Sequence, residues 1–157
     1  MKTKIWLISI IVFIIDQITK QIVNSSILYG DSIKIIKNFF YLTHAQNKGA
    51  AFSILQGKTF MFIIIAVFFL LYLFKIIKEE KKLSRLNIIS YGLLIGGIIG
   101  NLTDRIVYGY VVDFFDFKIF NYAFPIFNIA DMAMVIGTII MIYIIIREWW
   151  NNARNNS

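Results

Sequence analysis

Four long apolar stretches constrain this chain of 157 residues more than any other feature. They lie at about residues 5–23, 60–77, 86–108 and 126–146, and each is rich in Ile, Leu, Phe and Val. A helix needs about 20 apolar residues to cross the hydrocarbon core of a bilayer, so each stretch is long enough to span it. Only 16% of the residues are charged, against about 25% in soluble domains. The sequence therefore predicts a single polytopic membrane domain with four transmembrane helices, and it argues against a soluble enzyme.

The basic residues predict how these helices are oriented. A basic cluster lies at the end of the second stretch and in the loop that joins it to the third; it consists of Lys75, Lys78, Lys81, Lys82 and Arg85. Cytoplasmic loops are enriched in Lys and Arg, so we expect this loop and both termini in the cytoplasm. Segments 24–59 and 109–125 are then extracytoplasmic loops. No A-x-A cleavage site follows the first stretch, which is therefore expected to be a retained span and not a removed signal peptide.

The outer segments contain the little structure that lies outside the bilayer. Residues 32–43 mix Ile, Phe and Tyr with Lys34 and Lys37, which indicates a small sheet at the membrane surface. The predicted fold class is therefore an all-α membrane protein with a small extracytoplasmic β-rich cradle between helices 1 and 2. His44 is expected on the surface of this loop. Pro125, the only proline, is expected in the first turn of the fourth helix.

Several kinds of catalytic chemistry are excluded by what the sequence lacks. The chain has no Cys and a single His, so it offers no thiol nucleophile, no thiolate metal site and no HExxH zinc motif. It also has no GxSxG motif. No metal site is expected, and acid–base chemistry must depend on the nine Asp and Glu residues.

The start of the fourth stretch carries the most informative carboxylate. Asn128 and Asp131 are i,i+3 neighbours on one face of the helix. If that helix begins near Pro125, Asp131 lies about 9 Å along its axis, just below the outer surface of the membrane. Ionisable residues in a span are costly and mark functional sites. Asp113 or Asp116 could face Asp131, and two carboxylates that share one proton form the arrangement of an aspartic protease. Spacing alone does not choose between these two.

Polar residues in the first and third stretches predict helix contacts. Asp16 and Lys20 lie one turn apart, as in an ion pair that anchors the end of a helix. The third stretch carries Asn101, Asp104 and Arg105 on adjoining positions, which should face the interior of the bundle as a polar clamp or as part of a site. They follow glycines with the small-xxx-small spacing that permits close helix packing, namely Gly92, Gly96 and Gly100.

The outer loop offers one further candidate segment. Asn47 supplies both a donor and an acceptor, and Gly49 permits close approach of the backbone to a ligand. The same residues could equally form a turn before the second span.

Two other classes of protein compete with an enzyme. A small proton- or ion-coupled transporter also uses intramembrane carboxylates, but it would place them near the midplane and show repeat symmetry. Here the carboxylates gather at the outer ends of the helices, and no repeat is evident. A non-enzymatic assembly factor would use its Asp and Arg residues only to hold helices together. In that case, Asp131→Asn would leave function intact.

Five motifs, taken in order along the chain, resemble those of lipoprotein signal peptidase, the signal peptidase II family of aspartic peptidases (family A8). The matching residues are Asp16, Gln17 and Lys20; Asn47, Gly49, Ala50, Ala51 and Phe52; Gly100, Asn101, Asp104 and Arg105; Val111, Asp113 and Phe114; and Phe127, Asn128, Ala130 and Asp131. Each motif alone is weak, but five in order over essentially the whole chain are highly specific.

The resemblance implies roles for most of these residues. It implies that Asp113, which lies in a V-x-D-F context, forms the catalytic pair with Asp131. The residues implied to bind substrate or inhibitor, or to orient the pair, are Asn47, Gly49, Asn101, Arg105 and Asn128. The residues implied to support this polar layer are Asp16, Lys20 and Asp104.

The resemblance also implies an activity and a location. The family's enzymes are intramembrane endopeptidases that remove the signal peptide from diacylglyceryl-modified bacterial prolipoproteins, cutting just before the lipidated Cys. This implies a multi-pass protein of the bacterial cytoplasmic membrane, with its active site at the outer face. Lipidated precursors, membrane lipid and globomycin-type inhibitors are the implied partners. No metal, organic cofactor or nucleic acid is implied.

Overall fold

A computed structural model of the chain describes residues 2–49, 57–80, 82–119 and 122–155. The four apolar stretches form four helices that are long and apolar enough to cross a membrane, as the sequence predicts. These helices are α1 (Thr3–Ser26), α2 (Thr59–Glu79), α3 (Arg85–Tyr108) and α4 (Ile129–Asn155).

The third helix, α3, is the centre of the helical bundle. It is buried along most of its length and packs against α1 and α4, and less extensively against α2. The other three helices turn most of their Ile, Leu and Phe side chains outward, as expected of helices that face lipid. Within the described ranges, α2 and α4 share no extensive contact.

Glycines on α3 allow its two main neighbours to approach closely. A Cβ atom on Gly96 would lie 2.7 Å from the carbonyl oxygen of Ser9 in α1, and one on Gly97 would lie 2.5 Å from that of Ala130 in α4. Both distances are shorter than a side chain tolerates. The close packing predicted from the small-residue spacing is therefore confirmed.

An antiparallel sheet lies at the end of the bundle where α1 and α3 terminate. Its strands, in spatial order, are β1 (Ser32–Ile36), β2 (Phe40–Asn47), β3 (Val111–Ile119) and β4 (Tyr122–Ala123). The small sheet predicted between helices 1 and 2 is confirmed by β1 and β2. Segment 109–125, which the sequence predicts to be a loop, contributes β3 as the partner of β2. Its Val and Phe residues favour a strand, but the pairing with β2 joins segments that are distant in sequence.

The fourth helix begins later than the sequence suggested. Before it, Phe127 forms an antiparallel bridge with Phe115, with its N–H donating to the Phe115 oxygen at 3.2 Å. Pro125 therefore precedes the helix and does not occupy its first turn, so that prediction was wrong. Because α4 begins at Ile129, Asp131 belongs to the first turn and is closer to the helix end than the predicted depth of about 9 Å.

His44 is buried, and the expectation that it lies on the surface was wrong. Its Nδ1 is 2.8 Å from the carbonyl oxygen of Ile27, where α1 ends, and the ring of Tyr29 meets it edge-on at 6.0 Å. Among the residues that the structure describes, Nε2 has no hydrogen-bond partner. The imidazole thus joins β2 to the end of α1. This is a tertiary contact, which the local sequence around His44 does not reveal.

Candidate active site

Asn128 lies between the two carboxylates that the sequence singled out. Its side-chain Nδ2 donates to Asp113 Oδ1 at 2.7 Å, and its backbone N–H donates to Asp131 Oδ2 at 3.2 Å. In return, the backbone N–H of Asp131 donates to Asn128 Oδ1 at 2.9 Å. This reciprocal pair is a capping box at the start of α4. One fully buried residue therefore joins Asp113 of β3 to Asp131 of α4.

Two further amides bond the remaining carboxylate oxygens. Asn47 Nδ2 donates to Asp113 Oδ2 at 2.9 Å, and Asn101 Nδ2 donates to Asp131 Oδ1 at 2.7 Å. The other end of the Asn47 amide accepts from the backbone N–H of Gly49 at 3.0 Å. All four carboxylate oxygens thus accept a hydrogen bond, which holds both groups in fixed orientations.

A buried cation and two carboxylates lie directly behind this layer. Lys20 Nζ is 2.8 Å from Asp16 Oδ2 and 2.9 Å from Asp104 Oδ2, so the predicted ion pair is present and has a second acidic member. Asp16 Oδ1 accepts from the N–H of Ala130 at 2.9 Å, and Asp104 Oδ2 accepts from the N–H of Val112 at 3.1 Å. The ion cluster therefore fastens the start of α4 and the start of β3, the two elements that carry Asp131 and Asp113.

Gln17 belongs to the same cluster, although sequence reasoning gave it no role. Its Nε2 lies 3.0 Å from Asp104 Oδ1, 3.2 Å from Asp16 Oδ2 and 3.3 Å from the carbonyl oxygen of Gly100. A lone amide beside Asp16 in an apolar stretch was the available indication, because a polar side chain in a span needs a partner.

The structure separates the two candidate partners of Asp131. Asp116 Oδ2 accepts from Thr43 Oγ1 at 2.8 Å, and Thr43 in turn bonds Ser32 Oγ at 2.8 Å. Successive side chains of a strand point to opposite faces, so residues three apart diverge. Asp113 therefore shares Asn128 with Asp131, whereas Asp116 forms part of a polar ladder across the sheet.

The electrostatic environment of Asp113 favours its neutral form. Burial, and after it the charge of Asp131, raise the pKa of the Asp113 carboxyl to about 7, although hydrogen bonds from Asn47 and Asn128 oppose this change. A carboxyl with this pKa exchanges its proton near neutral pH. Asp113 can therefore both hold and release a proton under ordinary conditions.

A cavity of about 730 Å³ opens beside Asp131. Its polar end is formed by Asn47, Gly49, Arg105 and Asp131. Its apolar wall comes from the segment before α4 and from α4 itself: Phe124, Pro125, Ile126, Phe127, Met132, Met134, Val135 and Ile136. The cavity thus combines a carboxylate and hydrogen-bonding groups at one end with an apolar surface along a helix that faces outward.

Arg105 holds the polar end of this cavity together. Its Nη1 donates to the carbonyl oxygen of Asn101 at 3.3 Å, and its Nη2 donates to that of Gly49 at 3.4 Å. The guanidinium carbon lies 5.2 Å from the ring centroid of Phe62 in α2, within the range of a cation–π contact. The other residues of the Asn47 motif, Ala50, Ala51 and Phe52, lie outside the described residues.

Comparison with known proteins gives consistent likenesses. The family model described as signal peptidase (SPase) II matches residues 8–147. The lipoprotein signal peptidase of Halothermothrix orenii is 43% identical over 142 residues, covering 88% of this chain and 92% of the relative. That of Staphylococcus haemolyticus is 40% identical over 142 residues, covering 90% of each chain.

A solved structure has a similar fold. It is described as a bacterial membrane enzyme structure, obtained by the in meso method. It superposes with a TM-score of 0.87 at 40% identity, covering 95% of this chain and 90% of that chain.

Proposed function

Because this chain belongs to the signal peptidase II family and cleaves the signal peptides of prolipoproteins, we propose that Asp113 and Asp131 are its catalytic carboxylates. The observation that carries this proposal is Asn128, which bonds both carboxylates and so sets them side by side. The protein is a multi-pass membrane protein and an aspartic peptidase. The transporter alternative has no support in the fold or in the relatives.

The two carboxylates would act together on water and on the scissile peptide bond. The ionised member takes a proton from water as the water oxygen attacks the carbonyl carbon, while the protonated member polarises the carbonyl oxygen. The proton taken from water then passes to the leaving amine as the C–N bond breaks. The raised pKa of Asp113, about 7, supports this division because it keeps one proton on the pair near neutral pH.

The surrounding polar residues would orient the pair and hold the substrate backbone. Asn101 and Asn128 already bond the carboxylates, which suits them to orienting roles. Asn47, Gly49 and Arg105 line the cavity beside Asp131, where their amide and guanidinium groups can meet a peptide backbone. Their position at the polar end of an otherwise apolar cavity supports this division of roles.

The substrate would be a diacylglyceryl-modified precursor that is cut just before its lipidated Cys. Along α4 the cavity wall includes Met132, Val135 and Ile136, whose side chains are exposed on the outward face. Because these side chains are exposed, this face of α4 is open to lipid. An apolar signal helix and acyl chains could therefore remain in the bilayer while the scissile bond reaches Asp131.

The active site would lie at the outer face of the cytoplasmic membrane, with both termini inside the cell. Lys75, Lys78 and Lys82 are exposed at the opposite end of the bundle from the sheet, and Lys2 Nζ bonds the Lys78 carbonyl oxygen at 3.2 Å. Lys81 lies outside the described residues. Positive charge at that end favours a cytoplasmic location. Membrane lipid and globomycin-type peptide inhibitors are the further partners that we propose, with the inhibitor occupying the cavity.

A processing assay in proteoliposomes tests the proposed substrate. One precursor carries the lipidated Cys, and a matched precursor carries Ser at that position and cannot be lipidated. We expect a gel shift for the lipidated precursor alone, and we expect globomycin to inhibit it. The mass of the product should show that the modified Cys is its N-terminal residue. Equal cleavage of both precursors would contradict the lipid requirement.

A further inference from the structure

The guanidinium of Arg105 is itself held by long hydrogen bonds. Its bonds to the carbonyl oxygens of Asn101 and Gly49 measure 3.3 and 3.4 Å, whereas a typical N–H···O bond measures about 2.7–3.2 Å. Among the described residues, no carboxylate lies within ion-pairing distance of the guanidinium. Fixing an arginine side chain costs considerable rotational entropy, which two long bonds offset only in part. A further contact is therefore needed to keep this group in place.

The ring of Phe62 in α2 supplies that contact. The guanidinium carbon of Arg105 lies 5.2 Å from the ring centroid, within the range over which an aromatic face attracts a cation. A planar guanidinium also stacks on such a face, as the ammonium group of a lysine does not. Because Phe62 is partly buried, water weakens this attraction less than it would on an open surface.

The first turn of α2 is fixed beside the last turn of α3, which carries Arg105. Thr59 Oγ1 donates to the carbonyl oxygen of Gly109 at 3.0 Å, and Gly109 directly follows α3. Thr59 and Phe62 are three residues apart, so they lie on one face of α2. Phe60 lies on a different face and is 73% exposed. The hydrogen bond of Thr59 thus helps to bring the Phe62 ring to the guanidinium.

Phe62 contacts the guanidinium without forming part of the cavity wall. Arg105 lines the cavity beside Asp131, but within the part of the chain that the structure describes no residue of α2 does so. A guanidinium has five N–H donors, and the two bonds to carbonyl oxygens leave donors for a bound peptide. Any effect of Phe62 on such a peptide would therefore pass through Arg105.

We propose that Phe62 is a positioning residue, whose ring holds the Arg105 guanidinium where it can donate to the backbone of the precursor near the scissile bond. The inference rests on the proposed role of Arg105 in binding that backbone. It adds α2 to the elements that build the substrate site. Because the ring would act on substrate binding and not on the carboxylates, its loss should raise KM and leave kcat nearly unchanged.

Cleavage of a lipidated precursor in proteoliposomes tests the proposal. Phe62→Leu removes the aromatic face but keeps an apolar side chain. It should raise KM by about 5- to 30-fold, which corresponds to the loss of a partly desolvated cation–π contact. Phe62→Tyr retains the aromatic face and should keep KM within about twofold of the parent value. An equal rise of KM in both variants would overturn the proposal, as would an unchanged KM in Phe62→Leu.

Two controls separate positioning from a loss of structure. Phe60→Leu makes the same replacement on the exposed face of α2 and should leave KM and kcat unchanged. Partial unfolding lowers the concentration of active enzyme, and so reduces the apparent kcat, but it does not raise KM. A fall in kcat alone in Phe62→Leu would therefore show a merely structural role and overturn the proposal.

A double-mutant cycle shows whether the ring acts through Arg105. Arg105→Gln should itself raise KM, because it removes the guanidinium donors. In that background, Phe62→Leu should raise KM by no more than about twofold, since the effects of two residues in contact are not additive. If the double variant instead showed the product of the two single effects, the ring would act independently of Arg105 and the proposal would be wrong.

The same cycle distinguishes failure of this proposal from failure of the proposed function. If Arg105→Gln raises KM and Phe62→Leu does not, Arg105 binds the substrate but Phe62 does not position it. If Arg105→Gln leaves KM unchanged, the proposed role of Arg105 is wrong and the inference about Phe62 is overturned with it. The proposed roles of Asp113 and Asp131 are tested separately, because their replacement by Asn should lower kcat.

Discussion

Lys20 Nζ lies 2.9 Å from Asn101 Oδ1, and this contact determines which end of the Asn101 amide faces Asp131. Asn128 Nδ2 also approaches the same oxygen, at 3.1 Å. With Oδ1 occupied by donors, Nδ2 is directed to Asp131 Oδ1 at 2.7 Å. A buried cation on α1 thus orients a carboxylate on α4 through a single amide of α3.

Replacing Lys20 with Met should lower kcat by about 100-fold, because small misplacements of a catalytic group have effects of that size. The same change leaves Asp16 and Asp104 without their cation and should destabilise the protein by about 3–5 kcal/mol. Single-turnover cleavage and thermal unfolding in detergent measure the two effects. Combining Lys20→Met with Asp104→Asn should recover part of the lost stability but not the activity. Recovery of full activity in the double variant would show that Lys20 acts only as a counter-ion.

Asp113 and Asp116 provide a matched pair of substitutions on one strand. Asp113→Asn removes a titratable group from the proposed pair and should lower kcat by about 10²–10⁴-fold. Asp116→Asn should keep substantial activity, because Asn Oδ1 can still accept from Thr43, and should change stability by no more than about 1 kcal/mol. Both are compared by gel shift of a lipidated precursor. Normal processing by Asp113→Asn, or its loss in Asp116→Asn, would reverse the assignment.

Asp131→Asn is the corresponding test on α4. Its amide keeps the side-chain oxygen that can accept from the N–H of Asn128, so the capping box and the fold should survive. Cleavage should fall by about 10²–10⁴-fold, because an amide cannot act as a general acid or base near neutral pH. Circular dichroism confirms folding, and the gel-shift assay measures activity. A fully active variant would favour a purely structural role for this carboxylate.

The raised pKa of Asp113 predicts a pH dependence of stability. The carboxyl has a pKa of about 7 in the folded protein and about 3.9 when unfolded, so the folded state binds its proton more tightly. Its contribution to stability is complete below about pH 4 and is lost as the pH rises to about 7. Thermal unfolding at pH 5 and pH 8 should therefore show that Asp113→Asn gains stability relative to the parent protein at the higher pH. If the stability difference between Asp113→Asn and the parent protein were the same at both pH values, the prediction would be contradicted.

Gly97 should tolerate no larger residue, because a Cβ there would lie 2.5 Å from the carbonyl oxygen of Ala130 and 2.8 Å from Met134 Cγ. Gly97→Ala should displace the first turn of α4, destabilise the protein by about 1–3 kcal/mol and lower kcat for each folded molecule. Gly92→Ala is the control, since its Cβ would meet Ile8 and Ile5 of α1. It should destabilise the protein but leave kcat for each folded molecule close to that of the parent protein. Equal kcat losses would indicate that the effect is not specific to α4.

The spans were predictable because each depends on a continuous local property, an apolar run long enough to cross a bilayer. The Asp16–Lys20 ion pair was predictable for the same reason, since i,i+4 neighbours meet on any helix. Asp104 as a second partner of Lys20 depends on how α1 packs against α3, and sequence spacing within one helix cannot show that.

The start of α4 illustrates two competing local signals. Pro125 suggested a helix beginning beside it, whereas Asn128 and Asp131 have the spacing of a capping box. The second signal prevails because Phe127 is held by Phe115 in the sheet. Strand β3 was missed because its pairing with β2 is not local. That pairing also determines which of Asp113 and Asp116 lies beside Asn128. Residue spacing alone therefore does not choose between these two carboxylates.

The capping box at Asn128 also has a consequence for biogenesis. The pair of carboxylates requires two elements. One is β3, which follows the third helix, and the other is the first turn of the fourth helix, which Asn128 caps. A nascent chain with three helices inserted would therefore contain Asp113 but not the complete proteolytic centre that we propose. Enzymatic competence would arise only when the fourth helix enters the membrane and its first turn forms, so partly assembled molecules would not cut neighbouring polypeptides.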